Sequence, residues 1–223
     1  MSFEEIPKTE STPPIELVDK NRERVVETEA IKDLKDLGLD FDYLKDKLTL
    51  DVGAGLAEIA EVARKKGIKI ISLDINPEMW TEEGTKLPDV PYVKASAERL
   101  PFDNEVFDLV ISHAGPFSII PSKEMVAGMI AEAKRVLRGG GELRFGPGNL
   151  NANIFTLEEL FTPEEEESLP MEQIIDRISQ KSLEFLKSID PNITQEEIRE
   201  PSHDFLAKHF YILRKPKPEV LKK

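Results

Sequence analysis

The sequence predicts an α/β fold: a doubly wound, mostly parallel sheet with helices on both faces, an N-terminal helix before it and a helical insertion before the last strand. Three observations carry this. From residue 48 to residue 147, short apolar strand patterns alternate with helical ones, the rhythm of βαβ units whose strands are buried on both faces. The first strand pattern, KLTLDV, runs into Gly53-Ala54-Gly55 and passes at once into a helix. Finally, 223 residues with 39% apolar and 33% charged side chains suit one domain with a three-layer core.

Along the chain, residues 1–14 combine Pro7, Pro13 and Pro14 with Ser and Thr and read as a mobile arm, leaving 15–223 as a single domain. From Ile15 a proline-free stretch places Leu17, Val25, Ala30, Ile31 and Leu34 on a partial stripe and stops at Gly38, a helix ahead of the core. After the first strand come the helical AEIAEVARKKG, the strand IKIISLD, the helical PEMWTEEGTK, and the strands VPYVKA and FDLVISH. The helix KEMVAGMIAEAKRVL groups Met125, Val126, Met129, Ile130, Ala133, Val136 and Leu137 on one face, and a glycine triplet then leads into ELRFGPG. Residues 151–200 break the rhythm with 13 acidic and 4 basic side chains, and read as a helical cap. Two roles stand for it: a lid over the carboxyl ends of the strands, or an elaboration packed on the core with a solvated acidic face. KHFYILRKP reads as the last strand, at 209–215; a sixth strand is indistinct.

Composition removes whole classes of function. With no cysteine and three histidines, thiol nucleophiles, iron–sulfur clusters and cysteine-ligated zinc are excluded, and no metal site is expected. A net charge of −13 opposes non-specific nucleic-acid binding. No run approaches the roughly 20 apolar residues of a membrane span, so no membrane association is expected. The polar, acidic N-terminus lacks the pattern of a secretory signal, and the expectation is a cytoplasmic protein.

The chemistry concentrates at LTLDVGAGLAEIA, residues 48–60. Glycines after a strand allow a sharp turn and close approach of a ligand, and the amides opening the next helix face the same crevice. Asp74 ends the neighbouring strand, where a carboxylate can accept hydrogen bonds from both hydroxyls of a ribose. A dinucleotide site wants a small residue where Glu58 stands, so NAD fits poorly. Asp51 suits a cationic ligand, whose ammonium it would orient, or else it caps nearby loop amides.

These residues resemble the class I S-adenosylmethionine-dependent methyltransferases, in particular the small-molecule group marked by a strand followed by D-x-G-x-G-x-G. LDVGAGLA is similar to that motif, LDIN with Asp74 to the ribose-binding second strand, ASAERLPFDNEVFDLVISHAG to D-A-x-x-L-P-F and the fourth strand, and EAKRVLRGGGELRF to the helix, turn and fifth strand that follow. The resemblance covers residues 48–147 and implies a Rossmann-like fold. It implies that S-adenosylmethionine is the cofactor and S-adenosylhomocysteine the product. Asp51, Gly53, Ala54 and Gly55 would surround the methionine part, Asp74 would hold the ribose, and Ile75, Ser96, Ala97 and Glu98 would face the adenine. Ser112, His113 and Ala114 would line the crevice near the methyl group. Two positions depart from the pattern: the third glycine is Ala57, and the aspartate ahead of Ala97 is Ser96.

Methyl transfer from a sulfonium expels a neutral leaving group, so alignment and desolvation supply much of the acceleration. A general base is needed only for weakly acidic acceptors. His113 is the candidate for proton removal, the alternative being a strand-end histidine bonded to backbone. His203 and His209 read as structural or surface residues. The expected function is methyl transfer to a small-molecule acceptor. The alternatives are a non-catalytic S-adenosylmethionine-binding module acting through a protein partner and, disfavoured by Glu58, a nicotinamide-dependent oxidoreductase.

Overall fold

The first strand, β1 (Thr49–Val52), is buried along its whole length, so both of its faces need a covering layer. Leu50 and Val52 face one side with Leu73, Val110, Leu143 and Phe145 of neighbouring strands. Ile70, Leu109, Ile111 and Ile212 face the other. The computed structural model describes residues 15–76, 88–119, 122–146, 155–160, 162, 169–198 and 209–218. Expectations for the arm 1–14, the helix at 77–86 and His203 fall outside them.

Among the described residues seven strands form one sheet in the order β3-β2-β1-β4-β5-β7-β6. Here β2 is Ile70–Asp74, β3 Tyr92–Lys94, β4 Phe107–His113, β5 Leu137–Gly146, β6 Ile193–Glu197 and β7 His209–Arg214. The first five pair in parallel, and β7 runs antiparallel to both β5 and β6. Strand order reverses between β1 and β4, the switch point at which such sheets bind ligands.

On one face lie α1 (Ile15–Asp36), α2 (Phe41–Leu44) and α3 (Glu58–Lys65), through Val26, Ala30, Leu34, Leu44, Ile59 and Ala63 among others. On the other lie α4 (Pro116–Ile119) and α5 (Lys123–Val136), the latter through Val126, Met129, Ile130, Ala133 and Val136. That second layer also holds α6 (Leu157–Leu160) and α7 (Met171–Ile189). The helix α7 is one continuous element of 19 residues. Leu186 is fully buried, Ile178, Leu183, Phe185 and Ile189 pack beside it, and Phe185 meets Phe155 edge-on at 6.5 Å.

Of the two roles open to the segment 151–200, the described part of α7 takes that of an elaboration packed on the core. Within that segment, α7 belongs to a covering layer of the sheet, and residues 193–197 add the edge strand β6. The strand ITQEE lacks an apolar alternation because only Ile193 is buried and the edge leaves the rest open to water.

Three groups of polar contacts position the crevice. Arg22, Lys65 and Lys66 pair with Glu61, Glu23 and Glu27, fastening α1 to α3. At the far end of α1 the buried Arg144 donates to the carbonyls of Leu37 (3.2 Å) and Gly38 (3.0 Å), a cation at the negative end of the helix dipole. Its guanidinium also bonds Glu142 (2.9 Å), which accepts from the Tyr43 hydroxyl (2.9 Å). Burial pushes the Glu142 carboxyl up, but the Tyr43 and Arg144 bonds leave it below its ordinary value. Under the other face Arg135 donates to the carbonyls of Leu100 (2.9 Å) and Phe102 (2.8 Å), and Glu132 accepts from the Leu100 amide (2.8 Å). The Leu-Pro-Phe segment after β3 is thereby tied to α5.

Candidate active site

Between β1 and α3 the backbone enters the left-handed region three times, at Gly53 (φ 77°), Gly55 (φ 52°) and Ala57 (φ 58°). The Gly53 and Ala54 amides both donate to the Leu73 carbonyl, at 2.7 and 3.0 Å. The Gly55 amide donates to Asp74 Oδ2 (3.2 Å), while the Tyr92 hydroxyl donates to the Gly55 carbonyl (2.8 Å). A Cβ on Gly53 would lie 2.4 Å from Pro116 Cδ, so this glycine also admits the turn that follows β4. Ala57, at the position of the motif's third glycine, has a left-handed backbone, which alanine, the smallest chiral residue, bears at modest strain.

At the end of β2, Asp74 accepts from Gly55 through Oδ2 and from the Asn76 amide through Oδ1 (2.9 Å). Both oxygens are oriented, and each keeps a second lone pair. Ile75 is 65% exposed beside it, an open apolar surface. Beyond β3 the Ser96 hydroxyl accepts from the Glu98 amide (3.2 Å) in a local turn, Ala97 packs into the core and Glu98 is exposed.

Asp51 is 3% exposed, and no described residue donates a hydrogen bond to it. Burial raises its pKa to about 7, with Asp33 and Asp74 adding to the rise and His113 opposing it. It lines a polar cavity of about 40 Å³ with Asp33, Gly53, Ala54, Glu58, Ile59 and His113. That volume matches one small polar group, a water or an ammonium. Burial and the neighbouring Asp33 also push the Glu58 carboxyl up.

His113 lines this cavity, and its ring nitrogens face carboxylate side chains. Nδ1 faces Asp33 Oδ1 at 3.3 Å and Nε2 faces Asp36 Oδ2 at 3.2 Å, both carboxylates belonging to α1. Through these two contacts the ring joins the end of β4 to α1. Ser112, expected at the cofactor, is 1% exposed and its hydroxyl donates to the Val52 carbonyl (2.7 Å). It ties β4 to β1 from below the crevice. Residues 112–117 turn through Ala114 at φ 45°. Asp33, Asp36 and Tyr92 were not singled out as site residues from the sequence. The i, i+3 spacing of the two acids put them on one helix face, but nothing local showed which strand that face would meet.

A parallel sheet reversed at β1/β4, a closing antiparallel strand, and a glycine turn bonded to the acid that ends β2 are together the framework of class I S-adenosylmethionine-dependent methyltransferases. Residues 50–145 match the family described as methyltransferase domain, and this segment is such a domain. Among curated relatives, the chain is 32% identical over 93 residues to demethylmenaquinone methyltransferase of Chlorobaculum tepidum, covering 41% of this chain and 37% of that protein. It is 30% identical over 102 residues to malonyl-[acyl-carrier protein] O-methyltransferase of Hamiltonella defensa, covering 46% and 38%. The chain thus matches well under half the length of these relatives. Among solved structures, human N-acetylserotonin methyltransferase in complex with S-adenosylmethionine superposes with TM-score 0.52 at 12% identity, over 89% of this chain and 57% of that one. A Methanococcus maripaludis protein assigned as an S-adenosylmethionine-dependent methyltransferase gives 0.50 at 18% identity, over 96% and 100%. These two likenesses show a shared fold.

Proposed function

We propose that the protein is an S-adenosylmethionine-dependent methyltransferase acting on a small molecule. The observation that carries the reading is the buried Asp51 carboxylate, without a hydrogen-bond donor among the described residues, at a small polar cavity beside the glycine turn. A cation completes such a site; the alternative is a carboxyl kept neutral by burial. When bound, the cofactor supplies a methyl group on a sulfonium, which an acceptor nucleophile can take directly.

The chain's own residues then have distinct tasks. Asp51 would hold the ammonium of the methionine part, and the Gly53–Gly55 backbone would give it room. The spare lone pairs of Asp74 would accept from the ribose hydroxyls. Ile75 would give the adenine an apolar face, with Ser96, Ala97 and Glu98 at its edge. His113 is assigned here as an anchor for α1, held by Asp33 and Asp36. Fixing the reactants side by side and excluding water is the main contribution such residues make to methyl transfer. The relatives named for a quinone precursor and a malonyl thioester support a small-molecule acceptor. No helix among the described residues is long and apolar enough to cross a membrane. The proposal includes a cytoplasmic setting, checked by cell fractionation.

Calorimetric titration with S-adenosylmethionine and with NADH tests the reading, and binding of the first alone is expected. Binding of NADH instead would overturn it. Incubation of methyl-labelled cofactor with cell extract then separates an enzyme from a binding module, because a module leaves the label on the cofactor.

A further inference from the structure

Gly55 has the widest backbone freedom of any residue type, and a turn built on it keeps one shape only if its flanking peptides are held. Both are held, from two different strands. The peptide before Gly55 is anchored by its N–H on Asp74 of β2, and the peptide after it by its carbonyl under the Tyr92 hydroxyl of β3. The Tyr92 ring is half-buried against the apolar layer beneath α1 and α3, so its position does not depend on that hydroxyl.

We propose that Tyr92 is a positioning residue for ribose recognition. Through Gly55 it orients the Asp74 carboxylate, without touching the ligand. Without the Tyr92 bond the peptide after Gly55 is free to turn, and a glycine released on that side no longer holds the preceding peptide in one orientation, so the Gly55 amide loosens on Oδ2 and Asp74 is held firmly only by Asn76 at Oδ1. A carboxylate fixed at both oxygens meets two adjacent hydroxyls at once, whereas one fixed at a single oxygen must first be ordered. The inference rests on the cofactor reading above and adds the residue that sets the geometry of its ribose site.

Tyr92→Phe keeps the ring and removes the hydrogen bond. In the absence of ligand, amide hydrogen exchange of the 53–56 turn is expected to quicken. The dissociation constant for S-adenosylhomocysteine is expected to rise about five-fold. In an Asp74→Asn background, which already lacks the carboxylate, Tyr92→Phe should add less than about two-fold, the signature of one residue acting through the other. Unchanged turn exchange, or fully additive losses in the double variant, would overturn the role of Tyr92 while leaving the cofactor reading intact. A wild-type protein that binds no S-adenosylhomocysteine would overturn the cofactor reading, and the ribose role with it.

Discussion

Asp51 makes the proposed site sensitive to pH in a direction that can be worked out. Burial raises its pKa from 3.8 to about 7, so in the ligand-free protein about one carboxyl in ten is ionised at pH 6 and about nine in ten at pH 8. If the ammonium of the cofactor binds the ionised form, affinity rises about ten-fold from pH 6 to pH 8, and binding releases a proton. Stability moves the opposite way. A raised folded-state pKa means that the folded protein holds this proton more tightly than the unfolded chain does. Stability is therefore unaffected by Asp51 below about pH 4, falls as pH climbs to about 7, and levels off there at a cost on the order of 4 kcal/mol. Calorimetry at pH 6, 7 and 8, in buffers of different ionisation enthalpy, reads both the affinity and the proton count. Asp33, Glu58 and His113 share the cavity, so the matching control is Asp51→Asn, which should be more stable than wild type at pH 8 and lose the pH slope. A flat affinity in the wild type, or a slope that survives in the variant, refutes the assignment of the ammonium to Asp51.

Gly53 and Gly67 share a left-handed φ, 77° and 73°, but a Cβ meets Pro116 at 2.4 Å in the first and nothing within 4 Å in the second. Gly67→Ala should cost about 1 kcal/mol and Gly53→Ala at least about 2 kcal/mol more by urea denaturation, and equal losses would mean the β4 turn is not packed as described. Ser96→Asp places a charged acceptor at the proposed adenine edge and should tighten S-adenosylmethionine binding about three- to ten-fold; no gain in calorimetry would move the adenine elsewhere. Arg144→Ala removes both carbonyl bonds at the end of α1 and should lower stability by about 3 kcal/mol, with a shift below about 1 kcal/mol showing that α1 is held by other means. For His113→Asn a lowered melting temperature is expected with turnover at saturating cofactor within about three-fold, whereas a fall of about a hundred-fold would make it a general base after all.

The parts of the fold that showed in the sequence are those with a local signature. Strands buried on both faces are short apolar runs, and a strand that opens into glycines and then a helix has few other uses, so β1, β2, β4, β5 and the turn at Gly53 were legible. What did not show depends on pairings between distant segments. The strand ITQEE has one buried side chain and pairs on one side only, which leaves polar residues free to occupy it. Tyr92 lies in the strand VPYVKA, and its hydroxyl bond reaches a residue 37 positions away, which no local pattern shows. His113 could be placed at the mouth of the sheet from its strand, but its partners lie 77 and 80 positions earlier on α1, and no spacing rule connects them. Ser112 went the other way: its strand position was right, and the inward-facing side chain went to the Val52 carbonyl.

The reversed direction of β7 also decides where the described chain leaves the sheet. Tyr211 lies opposite Phe145, near the mouth, and Arg214 opposite Glu142, toward the base. The stretch that follows is gripped there, with Lys215 bonded to backbone at Gly140 and Gly141 and Pro218 set against Gly139. A reporter dye or an immobilisation handle attached at the exposed Lys217 would sit on the floor of the molecule, so surface-based kinetic measurements can present the opening to the flowing solution unobstructed.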